Sequence, residues 1–156
     1  MATLTFPSEQ FPAVPAVSFD LPDGWAGQVV DGALLAGLHD HGPDSFAANL
    51  IVGFTRHRPG LTHEQAEQSL LAYAQSLPEV ELTEIQRPTI GGRLWSVLPF
   101  AYVHPQIGTI VQVVATTVVE RGPVVDSMRV TGTALPDQTD DLQAIRAAID
   151  SLVVAD

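Results

Sequence analysis

The sequence predicts an α+β fold: a central antiparallel sheet of about six or seven strands with two main helices, at about 62–76 and 140–153. Three observations lead there. Apolar residues recur at helical spacing in two places, the long stretch between them alternates apolar runs with Gly/Pro turn signals, and several of those runs are apolar on both strand faces. With 156 residues, 46% apolar and 16% charged, the chain has the length of one domain and ample material for one core.

Residues 1–16 carry Pro7, Pro12 and Pro15, which fix φ and bias their predecessors toward extended backbone, so this segment reads as an extended N-terminal arm and residues 17–156 as a single domain. Val17 to Leu21 alternates apolar with polar and predicts a strand, which the turn residues Pro22-Asp23-Gly24 end just before Trp25. Residues 28–40 and Asn49 to Thr55, separated by Gly42-Pro43-Asp44, predict an antiparallel hairpin that stops at Pro59-Gly60.

Thr62 stands three residues before Gln65, a capping-box spacing that satisfies two otherwise free donors of a first helical turn. Ala66, Leu70, Tyr73, Ala74 and Leu77 continue at helical spacing, and Pro78 closes the segment. A meander follows: Val80 to Thr89, the hairpin turn Gly91-Gly92, Leu94 to Val103, a turn at 105–108, Thr109 to Val119, a turn at 121–123, and Val124 to Ala134. Leu142, Ile145, Ile149 and Leu152 then mark one stripe of the second helix, whose N-terminal dipole suits Asp137, Asp140 and Asp141.

Within the meander, Trp95, Val97 and Val103 oppose Leu94, Leu98, Phe100 and Tyr102, so both sheet faces need cover. Two arrangements provide it. The helices take one face each in an α/β/α sandwich, which is favoured, or share a face and leave the other to the arm or to a second subunit in a homodimer.

Seven basic residues, all arginine, stand against 18 acidic ones, a net charge of −11. Such a field disfavours nucleic acid and anionic membrane surfaces, which need clustered cations to displace counterions. Cysteine is absent, which excludes disulfides, thiolate metal sites and cysteine nucleophiles. Met1 to Gln10 lacks the pattern of a secretory leader, no stretch suits a spanning helix, and a cytoplasmic location is the expectation.

Chemistry-bearing patterns are sparse. His39-Asp40-His41 places two imidazoles at i, i+2 on one side of a strand, and Asp44 offers an oxygen, but a defined metal site needs three or four converging ligands; a polar hairpin tip is the plainer reading and no metal ligand is assigned. Arg56-His57-Arg58 has the forks to grip an oxyanion, yet reads as a solvated strand end. Ser127 beside Asp126, with His104 elsewhere, lacks any G-x-S-x-G frame, and no glycine-rich phosphate loop is present. Glu64, Glu67, Glu79, Glu81 and Glu84 read as the solvated side around the first helix. No catalytic residue and no cofactor is expected.

Trp25, Trp95, Phe100 and Tyr102 have two readings, core or binding surface. For a protein partner, Trp95, Phe100 and Tyr102 are the candidate contact residues.

Val17-Ser18-Phe19-Asp20-Leu21-Pro22-Asp23-Gly24-Trp25 resembles the opening strand and Pro-x-Gly-Trp turn of PsbP-like domains, and the order of the remaining elements is most similar to their actinobacterial LpqN/LpqT lipoprotein branch. The resemblance implies an α/β/α sandwich and a role in binding other macromolecules without an active site. The missing acylatable cysteine departs from the lipoprotein pattern. A non-catalytic protein-binding domain, adaptor-like or chaperone-like, is therefore the leading expectation. The alternatives are a small-molecule or metal-binding protein using a sheet-helix pocket near His39, His41 or His57, and a self-associating structural protein.

Overall fold

The computed structural model describes residues 1–155. In chain order its elements are β1 (Val17–Ser18), β2 (Ala26–Gly27), β3 (Leu35–His39), β4 (Ala48–His57), α1 (His63–Gln75), β5 (Glu81–Leu82), β6 (Thr89–Ile90), β7 (Arg93–Leu94), β8 (Ser96–His104), β9 (Gly108–Glu120), β10 (Val125–Ala134), α2 (Thr139–Asp150) and β11 (Val153–Val154). A seven-stranded antiparallel sheet in the order β2-β3-β4-β10-β9-β8-β5 forms the middle layer. The predicted meander supplies β8, β9 and β10; the β3–β4 hairpin docks against β10, with Leu50 opposite Gly132 and Val52 opposite Val130.

The pleat sends alternate residues to opposite layers, and each layer has its own helix. Val97, Val113, Ala115, Met128 and Val130 pack with Ile145, Ala148, Ile149 and Leu152 of the α2 region. Leu98, Phe100 and Val114 pack with Leu70 and Ala74 of α1. The fold is thus the α/β/α sandwich, and the arrangement with both helices on one face is excluded.

Local chemistry explains the helix ends. Thr62 Oγ1 accepts from the Gln65 amide at 3.1 Å while Gln65 Oε1 accepts from the Thr62 amide at 3.0 Å, the reciprocal cap expected from the spacing. At the other helix the expectation of residues 140–153 is corrected, because α2 ends at Asp150. Ser151 turns the chain, and the β-branched pair Val153–Val154 becomes a strand partnered by β1. The predicted strand Val17 to Leu21 accordingly shortens to two residues and lies outside the main sheet.

Val80 to Thr89 also pairs less than predicted. Only Glu81–Leu82 joins the sheet, at its edge, with one further bridge from Gln86 to Val97. Gly91 and Gly92 do make the hairpin turn, both at positive φ (57° and 78°), but it closes only β6 on β7. Gly132 is needed for a different reason. A Cβ there would lie 2.3 Å from Ile145 Cγ2, so the missing side chain is what lets α2 sit down on β10.

Residues 1–16 contain no helix or strand and are tied to the body at their end: Pro15 is buried and Arg56 Nη1 donates to the Pro12 carbonyl at 2.6 Å. No helix is long and apolar enough to cross a membrane.

Candidate functional site

His39 closes β3 opposite Ala48 of β4, which fixes its imidazole on the α2 side of the sheet. His41 lies two residues on, and the i, i+2 spacing brings both rings together with centroids 4.1 Å apart. Between them stands Asp141, in the first turn of α2. His39 Nδ1 is 2.6 Å from Asp141 Oδ1, and His41 Nε2 is 2.6 Å from Oδ2, so one carboxylate accepts from two imidazoles. Trp25 stacks on His39 at 5.9 Å with an interplanar angle of 29°.

Asp141 is only 4% exposed. Burial alone would push its carboxyl up, but the hydrogen bonds and charge of His39 and His41 more than reverse this, and the carboxyl is held below the usual carboxylate range. A cavity of about 510 Å³ opens beside the cluster, lined also by Asp44, Asp137 and Asp140. Asp44 stands at this cavity without bonding either ring, and Asp40 turns back to its own loop, accepting from the Gly42 amide at 2.8 Å. The third donor that the sequence reading lacked is therefore Asp141. A signal for it existed: Asp141 lies four residues before Ile145, on the buried stripe of α2.

The other patterns are dispersed. Arg56 is half-buried and committed to a buried carboxylate, donating from Nε and Nη2 to the two oxygens of Asp126 at 2.7 and 2.8 Å, so it is more than a solvated strand end. Asp126 is fully buried. Ser127 faces the opposite layer, where its Oγ lies 3.3 Å from His57 Nε2. His104 sits at the β8–β9 turn, its Nδ1 accepting from the Gln106 and Ile107 amides. Ser127, Asp126 and His104 thus do not meet.

Glu67 corrects a second expectation, since it is buried beneath α1 while Glu64, Glu79, Glu81 and Glu84 are solvated. It accepts from Arg87 Nε and Nη2 at 2.9 and 3.0 Å and from Ser96 Oγ at 2.7 Å, and His63 Nε2 bonds Ser96 Oγ from the other side. The Arg87 hydrogen bonds hold the Glu67 carboxyl low against the opposing effect of burial. In the window just below the ordinary carboxylate range the unfolded chain therefore binds the extra proton. Stability from Glu67 is full above that window and lost as pH falls through it. Glu67→Gln is expected to cost roughly 1.5–3 kcal/mol at neutral pH. It should also flatten the acid limb of stability against pH, measured by urea unfolding between pH 3 and 7; an unchanged limb contradicts this.

Trp95 and Phe100 are core residues, 1% and 2% exposed, on opposite faces of the sheet, so with Tyr102 they do not make one contact patch. Tyr102 alone of the three keeps accessible surface. Trp25 is likewise interior.

A sheet-helix pocket of the kind weighed near His57 is present, as an open trough. On the α1 side, α1 packs on β8 and β9, and the neighbouring faces of β4 and β10 are left as a trough of about 470 Å³. Ile51, Thr55, His57, Leu61, Arg129 and Thr131 line it. Arg129 lies 5.5 Å over the Tyr73 ring and forms no ion pair among the described residues.

No protein-family model matches the sequence, and no curated protein matches it. Solved structures do. The chain superposes on LpqN of Mycobacterium tuberculosis, described as involved in cell envelope biogenesis, with a TM-score of 0.80 at 15% identity, over 93% of this chain and 86% of that one. It is also similar to cyanobacterial PsbP (CyanoP) from Synechocystis, TM-score 0.57 at 14% identity, over 99% and 98% of the two chains. The Ran-binding protein Mog1p of Saccharomyces cerevisiae gives a TM-score of 0.55 at 12% identity, over 90% and 91%. The fold is PsbP-like, and LpqN shares it.

Proposed function

We propose that this chain is a non-catalytic binding domain that takes an extended, acidic segment of a partner protein in the trough over β4 and β10. The observation that carries this reading is the uneven cover of the sheet: α1 seals β8 and β9, while Ile51, Gly53, Ser127, Arg129 and Thr131 stay half-buried beside it. A floor of hydroxyls and short apolar side chains suits a polypeptide backbone, and Arg129 and His57 are the groups there that can meet a carboxylate. Two other arginines are already spent on buried carboxylates, Arg56 with Asp126 and Arg87 with Glu67. The fold neighbours are consistent with this reading, Mog1p being named for binding Ran.

The test is site-specific photocrosslinking in the native host. A benzophenone side chain at Thr131 should capture one partner, and the same probe at Gln106, in the distant β8–β9 turn, should not. Adding Arg129→Glu should cut the Thr131 crosslink at least about tenfold, since reversing a charge inside a contact opposes docking. Identical products from both positions, or a crosslink indifferent to Arg129→Glu in a folded variant, would sink the proposal.

A further inference from the structure

We propose that His39, His41 and Asp141 bind a divalent transition-metal ion, with Zn²⁺ the best match to the donors. The two rings come from the last residue of β3 and from the loop just past it, and the carboxylate comes from α2 about a hundred positions away in sequence. One ligand atom from each of the three residues lies within 4.8 Å of the other two. Zn–N and Zn–O bonds of about 2.0–2.2 Å set ligand atoms roughly 3.3–3.6 Å apart in a tetrahedral shell, so each 2.6 Å hydrogen-bonded pair need part by only about 1 Å or less to admit the ion.

Donor chemistry selects the class of ion. Two imidazole nitrogens with one carboxylate suit Zn²⁺, Cu²⁺ or Ni²⁺, whereas Ca²⁺ and Mg²⁺ require shells of oxygen. The ligands are also held in place: Trp25 backs the His39 ring and α2 buries Asp141. His41 is exposed and the adjoining cavity is open, which gives the ion an entry path and room for water or for an oxygen of Asp44, Asp137 or Asp140 in the remaining position. The proton balance is simple. In the metal-free clasp each ring donates an N–H to Asp141. With the ion bound those nitrogens present lone pairs and each neutral ring carries its proton on the other nitrogen, Nε2 of His39 and Nδ1 of His41.

This site lies on the α2 side of the sheet, away from the trough, so it stands or falls independently of the proposed partner. Calorimetric titration of the whole chain with Zn²⁺ alone should give one ion per chain and a Kd in the micromolar range or tighter, with no heat from Mg²⁺. His41→Gln keeps an amide that can donate to Asp141 but removes the ligand nitrogen, and should weaken Zn²⁺ at least about tenfold; His104→Gln should leave it unchanged. Nitrogen-15 spectra of the imidazoles in the unmodified protein supply a readout that needs no variant, since Zn²⁺ should move the His39 Nδ1 and His41 Nε2 resonances and spare His104. Absence of stoichiometric binding, equal affinity in a folded His41→Gln variant, or ring shifts confined to other histidines would overturn the assignment.

Discussion

Trp95→Ala is expected to lower stability by about 3–5 kcal/mol, the range for emptying a large aromatic site in a packed core. For a chain of this length that corresponds to a Tm lower by roughly 6–20 °C. Trp95 stands immediately before β8, 1% exposed, on the α2 side with Val97, and its amide donates to the Pro88 carbonyl at 3.0 Å. It therefore closes the corner where the β6–β7 hairpin meets the sheet. Trp95→Phe, which keeps a ring there, should recover much of the loss. Thermal and urea unfolding read both variants, and a loss below about 1 kcal/mol for Trp95→Ala would show that the site relaxes freely.

The second large effect belongs to Arg56. Arg56→Met removes both forks from Asp126, whose carboxylate is fully buried, and a charge left unpaired in such a place costs about 3–5 kcal/mol. The double change Arg56→Met with Asp126→Leu removes the charge as well as its partner, and should restore most of the stability, because an apolar pair of similar volume can replace a buried ion pair. A double-mutant cycle measures this as coupling energy, and additive losses would contradict it. Arg56→Met also releases the Pro12 carbonyl, so residues near 1–12 should become more sensitive to limited proteolysis in both variants.

How much of this was readable from the chain depends on how local the cause is. The Thr62/Gln65 cap is a contact across three residues, and it forms as the spacing says. The opposition of Trp95 and Val97 to Leu98 and Phe100 needs only the two-residue pleat, and the two packed layers divide along that line. Asp141 stands in the first turn of α2 as expected, but its burial, like that of Glu67, was missed for a shared reason. Each is an acid on the apolar stripe of a helix, and charge was allowed to outweigh periodicity: Asp141 precedes Ile145 by one turn, and Glu67 precedes Leu70 and Ala74. An acid in that position demands a partner, and the partners come from outside the helix, His39 and His41 in one case and Arg87 in the other. Their identity was not legible, because it depends on which distant segments the tertiary packing brings against each helix. A sheet-helix pocket near His57 was among the sequence-based expectations, but its lining from β10 was not legible for a related reason: the width of sheet that α1 covers is set by strand order, and the position of β4 beside β10 has no local signature.

That last adjacency governs the time order of folding. Arg56 and Asp126 are neighbours across the middle of the sheet but 70 positions apart along the chain. Drawing such ends together costs about 4 kcal/mol of loop-closure entropy before any contact repays it. During synthesis β3 and β4 emerge early and must wait for β10, the last long strand, before the β4 edge is sealed. Pairings of this range place the chain among slow, millisecond-to-second folders rather than helical-bundle ones. While it waits, the bare β4 edge is the part of the nascent chain most open to pairing with a stranger.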